Sequence, residues 1–217
     1  MTANDKAALR NWMLAFAATA AAVVVCFKWI DRPVAEFAEA HIRHTAAWGW
    51  IVHGLAPLDA VVVMLGLFAC MCGAWSIFSR PLPPWTQTPL LCALAALGAT
   101  VVCLLLKHFF GRSSVDPAYL QGHLYGFSLL HGGLYGQSFP SGTAAISTAI
   151  VSVLWMVAPR LRMAGGLIVL LLSAAVVITN FHWVGDVVAG IYLGVFIGWA
   201  VVRLASAGTR GKTALGP

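Results

Sequence analysis

Six stretches of this chain, 11–30, 60–79, 89–110, 142–158, 164–181 and 182–205, are strongly apolar. Each is about 20 residues long, the length a helix needs to cross a bilayer core of about 30 Å. Few architectures accommodate that pattern. Only 9% of the 217 residues are charged and 60% are hydrophobic, against about 25% charged in a typical soluble domain. The expectation is an integral membrane protein, an all-α bundle of six transmembrane helices. It forms one membrane domain over 1–217, with no soluble part large enough to fold separately.

The first stretch follows a short polar start carrying Lys6 and Arg10, as a signal peptide would, and Ala18-Thr19-Ala20 offers a cleavage site. The apolar run continues to Cys26, longer than a signal-peptide apolar region, so it reads as an uncleaved span. Beyond it, Asp31, Glu36, Glu39 and Arg43 alternate with Val34, Phe37, Ile42 and Trp50. Their helical spacing predicts an amphipathic segment over 31–59 lying on the membrane surface. His41 and His44 share a face there and are expected as solvated side chains rather than metal ligands. Cys26, Cys70, Cys72, Cys92 and Cys103 all fall inside apolar runs, which suits packing rather than a disulfide framework or a metal site.

A net charge of +6 does not point to nucleic acid here, because the basic residues gather at span ends. With the N-terminus in the cytoplasm, Lys6, Arg10, Arg80, Arg160, Arg162, Arg203, Arg210 and Lys212 lie inside. These eight of the 13 lysines and arginines satisfy the positive-inside rule. The partner implied is the bilayer, and the short loops fit a bacterial inner membrane. On this topology Lys107, Arg112, Ser141, His182 and Asp186 all emerge on the outer, non-cytoplasmic side, the first two flanking an outer loop over 111–140.

Three outer features carry chemistry. The turn Ser138-Phe139-Pro140-Ser141-Gly142-Thr143 runs straight into an apolar helix. Ser141 can cap that helix while the first N–H groups stay free for an anion; the alternative is a plain cap and spacer. His182 and Asp186, four apart, stack on one helical face. A carboxylate on one imidazole nitrogen leaves the other as nucleophile or base, unless the pair simply locks the fifth and sixth spans together. Lys107 and Arg112 add positive charge for a phosphate, or snorkel to the interface.

Taken in order, these residues resemble the PAP2 (type 2 phosphatidic acid phosphatase) superfamily of membrane lipid phosphatases. The likeness rests on Lys107, Gly111-Arg112, Phe139-Pro140-Ser141-Gly142 and His182-Trp183-Val184-Gly185-Asp186-Val187-Val188-Ala189-Gly190. It implies that His182 attacks phosphorus and becomes a phosphohistidine while Asp186 orients it. Lys107, Arg112 and the Ser141-Gly142-Thr143 turn would hold the phosphoryl oxygens. No metal and no cofactor are implied, and the substrate would be a lipid phosphate or diphosphate. Phosphotransfer to an acceptor other than water fits the same intermediate, and a non-catalytic relative that binds lipid phosphate is the competing class.

The departures from the family pattern are specific. Ser114-Val115 stand where the family has arginine-proline, Val176 where it has arginine, and Thr143 where it has the histidine that protonates the leaving group. General-acid catalysis contributes about 10²–10⁴ in rate, and its loss weighs least when the leaving group is itself a phosphate. The expected substrate is therefore a lipid diphosphate, such as a polyprenyl diphosphate. A second source for the proton is His131, ten residues before Ser141, where Gly132-Gly133 would let it fold back.

Overall fold

The computed structural model describes residues 3–77, 82–130 and 136–214, which form helices and connecting loops with no named strand. Eight α-helices follow in order: α1 (Ala3–Val25), α2 (Asp31–His41), α3 (Ala46–Leu55), α4 (Pro57–Ile77), α5 (Gln87–Phe110), α6 (Gly142–Val157), α7 (Arg162–Ile178) and α8 (Val184–Ala214). Five helical stretches are long and apolar enough to cross a membrane: Lys6–His41, Ala46–Trp75, Pro84–Phe110, Pro159–Ile178 and Val184–Ala207. Gly142–Val157 is apolar but shorter, and it forms the centre of the bundle. The protein is an all-α integral membrane bundle.

α6 packs most extensively against α8 and α5, and small residues explain why. Gly190, Gly194 and Gly198 repeat every fourth position along α8, facing the backbone of α6 at Ser141, Ala145 and Ala149. A Cβ at Gly190 would stand 2.6 Å from the Ser141 carbonyl oxygen, and one at Gly198 2.7 Å from that of Ala149. Small residues every fourth position let two membrane helices approach backbone to backbone. The core between α5, α6 and α8 is correspondingly fine-grained: Ala95, Ala99, Ala145, Ala149 and Val153 are completely buried. Gly194→Val is expected to force the two helices apart. Overpacking of about 1–3 kcal/mol corresponds to a fall in Tm of roughly 4–10 °C in detergent, measurable by thermal unfolding.

α1 lies along α8, with Trp12 against Phe196 and Trp199 at ring-centre separations of 5.1 and 5.2 Å. A single π-helical turn, Cys26–Ile30, joins it to α2. The segment 31–59 holds α2, α3 and the first residues of α4. Thr45 caps α3 by accepting from the Trp48 N–H, and Asp31, Ala35 and Ala38 of α2 are buried where that helix meets α7 and α8. From α1, α2 and α3 pass against α8 and α7 to reach α4, which packs on α5.

Candidate functional site

Three helix ends meet at one cavity. α5 closes on Gly111, whose left-handed φ of 53° turns the chain back while its N–H caps the Lys107 carbonyl. Lys107, in the last turn, is half-buried. At the start of α6, Ser141 in extended conformation accepts from the Ala144 N–H at 3.4 Å, and its own N–H donates to the Asp186 carbonyl at 3.0 Å. Gly142 and Thr143 hold the next positions, where helical N–H groups have no intrahelical acceptor. Two residues beyond the end of α7, Asn180 takes a left-handed φ of 60°. The Val176 carbonyl there accepts from both Phe181 and His182 N–H groups at 3.0 Å, which places His182 just ahead of α8.

A cavity of about 500 Å³ runs from this junction down the bundle. Its polar end is bordered by Lys107, Gly142, Thr143, Ser147 and His182, and its deep end by apolar residues of α4, α6 and α7 as far as Leu154 and Ile168. At 1.5 Å per helical residue, Gly142 to Leu154 spans about 18 Å. The shape is that of a charged mouth over an apolar slot.

Not every residue expected at the site borders this cavity. Arg112 is fully buried and faces the other way. Its Nη1 donates to Asp186 Oδ1 and its Nη2 to Asp31 Oδ2, both at 2.5 Å. Phe27, Tyr125, Phe127 and Trp183 surround the guanidinium at 5.2–5.8 Å from their ring centres. Burial pulls its pKa down, but Asp186 and Asp31 more than reverse this and leave it raised. Both terminal nitrogens of Arg112, expected as a phosphate ligand, are thus paired with carboxylates, and the side chain does not line the cavity. Ser141 is fully buried, with its hydroxyl capping α6, and Gly142 and Thr143 are the residues of this turn that line the cavity.

Asp186 is held on every side. Besides Arg112, its Oδ2 accepts from Ser138 Oγ at 2.5 Å and from the Trp183 N–H at 3.1 Å. His182 Nδ1 lies 3.6 Å from the same oxygen, just beyond hydrogen-bond reach, and is buried without another partner. The two side chains face each other across that gap.

Val176, where an arginine was the family expectation, is buried against Leu55, Ala144 and Val187. Among the described residues no cluster of His, Cys, Asp and Glu has the makings of a metal site. His131, Gly132 and Gly133 lie outside the described residues.

The sequence reading assigns no site role to Asp31, Ser138 or Tyr125, although Asp31 falls in line with Ala35 and Ala38 at helical spacing. Tyr125 donates its hydroxyl to the Phe27 carbonyl at 2.6 Å. Burial and the nearby Asp31 push its pKa up to about 12, so it stays a neutral donor.

Comparison with known proteins follows the same lines. Residues 87–210, more than half of the chain, match the sequence model of the PAP2 superfamily. A transmembrane PAP2-type phosphatidylglycerolphosphate phosphatase from Bacillus subtilis shares the fold, with a TM-score of 0.53 at 22% identity over 91% of this chain and 95% of that one. LpxE from Aquifex aeolicus matches with a TM-score of 0.45 at 21% identity, over 75% of this chain and 98% of its own. No curated protein matches in sequence.

Proposed function

This chain belongs to the PAP2 superfamily, and from that premise we propose that it removes phosphate from a lipid-linked diphosphate bound in the cavity between α4, α5, α6 and α7. One observation carries the reading: Lys107, the N–H-bearing start of α6 and His182 border the polar end of a single slot whose depth is apolar. An anion at the mouth would meet a cation and a helix N-terminus, while an acyl or prenyl chain fills the slot. The fold neighbour from Bacillus subtilis carries the name of a lipid phosphate phosphatase, which supports the substrate class.

In this reading His182 Nε2 attacks the terminal phosphorus as the bond from phosphorus to the bridging oxygen breaks. The departing lipid takes the bonding electrons and leaves as a monophosphate. Asp186 faces Nδ1 and stabilises the imidazolium character that develops. Water then attacks the phosphohistidine, releasing inorganic phosphate and restoring the imidazole. Lys107 and the Gly142 and Thr143 N–H groups hold the phosphoryl oxygens throughout. By the charge distribution of the loops, the reaction faces the non-cytoplasmic side.

Thr143 sets the preference. A threonine hydroxyl is too weak an acid to protonate an alkoxide leaving group, whereas a phosphate departs without full protonation. Purified protein in detergent is expected to release phosphate from a polyprenyl diphosphate faster than from a phosphatidate. Thr143→His is expected to raise the phosphatidate rate by about 10²-fold and leave the diphosphate rate within a few-fold. A natural preference for the monoester, or equal loss of both activities in the variant, overturns this assignment.

One observation favours a second reading. With Arg112 bound to two carboxylates and Val176 in the core, Lys107 is the one lysine or arginine among the described residues at the cavity end. A protein that holds lipid phosphate without turning it over would look the same. Phosphate release that is absent, with lipid diphosphate still bound, selects that reading.

A further inference from the structure

The turn that carries His182 is gripped by α2, a helix upstream of the family match at 87–210. Asn180 Nδ2 donates to the Ala35 carbonyl at 3.2 Å and to Glu39 Oε2 at 3.3 Å. Trp183 shares a buried cluster with Ala35 and Val115. On the far side of His182, the Gly185 N–H donates to Asp31 Oδ1 at 3.0 Å. Residues 180, 183 and 185 therefore bracket His182, and all three rest on α2. Asp31 is the most connected of these anchors, because its other oxygen takes Arg112 Nη2 while Arg112 Nη1 holds Asp186. The fit is close: a Cβ at Gly185 would stand 3.2 Å from Arg112 Nη1 and 3.3 Å from Asp31 Oδ2.

We propose that Asp31 is a positioning residue for the reaction at His182. It fixes the start of α8 directly through the Gly185 N–H, and it fixes Asp186 indirectly by sharing Arg112. This rests on the reading of His182 as the nucleophile. Removing the charge of Asp31 leaves Arg112 with one carboxylate, so the guanidinium shifts toward Asp186 and changes the 3.6 Å separation between Asp186 and His182. Lys107, Gly142 and Thr143 come from α5 and α6, which Asp31 does not touch, so substrate binding stays intact.

The test compares Asp31→Asn with Glu36→Gln in the full-length protein. The second variant neutralises the carboxylate that accepts from the Tyr119 hydroxyl at the exposed edge of α2. Asp31→Asn is expected to lower kcat on a polyprenyl diphosphate by about 10²-fold, the scale of a misplaced reacting group, with KM little changed. Glu36→Gln is expected to leave kcat unaltered. An unchanged kcat in Asp31→Asn, or a fall shared equally by Glu36→Gln, overturns the proposal. Should Asp31→Asn fail to accumulate, Asp31→Glu keeps the charge on a longer arm and is expected to show the same split between kcat and KM.

A second readout needs no turnover. Carbethoxylation of His182 by diethyl pyrocarbonate, followed by mass spectrometry, is expected to rise in Asp31→Asn relative to that of His108, as the turn loosens. Equal or lower labelling overturns the positioning role. Wild-type protein without turnover on any lipid phosphate would overturn the nucleophile reading alone, and the labelling ratio would then decide the part played by Asp31.

Discussion

His182→Ala is expected to lower phosphate release from a polyprenyl diphosphate by about 10⁴-fold or more, the scale on which losing a covalent nucleophile acts. Among the described residues bordering the cavity end, Lys107 is a cation, and Ser147 donates its hydroxyl to the Thr143 carbonyl. No neighbour therefore inherits the attack. The fold should barely notice the change, because His182 Nδ1 makes no hydrogen bond and the turn is held through the backbone N–H of His182. An unchanged Tm beside abolished turnover is the expected combination, checked by thermal unfolding and phosphate release on the same preparation. Wild-type protein quenched during turnover should carry acid-labile phosphate on His182, absent from the variant. Equal release in both proteins would remove the phosphohistidine mechanism.

Arg112→Leu is expected to do the reverse and act on the fold. Breaking a buried ion pair by removing one partner costs about 3–5 kcal/mol, because the other charge stays buried and uncompensated. Here two carboxylates, Asp31 and Asp186, lose their cation at once. The cavity left among Phe27, Tyr125, Phe127 and Trp183 adds to the loss. Little folded protein should survive size-exclusion chromatography in detergent. Arg112→Lys should recover part of it, since an ammonium keeps the charge but cannot bridge two carboxylates with a planar fork. Were Arg112 a phosphate ligand instead, Arg112→Leu would keep its Tm and raise KM.

These two substitutions separate what was readable in the sequence from what was not. Asp186 lies in the first turn of α8 and faces His182 just ahead of it, and Ser141 caps because it precedes an apolar helix. Both follow from geometry within one turn. Arg112 stands five residues after Lys107, so the sequence alone places both charges at one helix end. The left-handed turn at Gly111 separates them, leaving Lys107 at the cavity and sending Arg112 inward. Asp31, an acid beside Glu36 and Glu39, looks solvated unless a buried cation is known to await it.

Local rules were enough to establish a membrane-spanning helical bundle, its caps, and the helix ends that carry Lys107, Thr143 and His182. Apolar run length and spacing of 3.6 residues act within one segment, and no distant residue changes them. The pairing of the charges was decided by tertiary packing alone. Arg112 finds Asp186 across 74 residues and Asp31 across 81, and a buried cation turns toward the carboxylates that folding brings to it. Thus Lys107 faces the cavity, while Arg112, its near neighbour in the chain, holds the protein together.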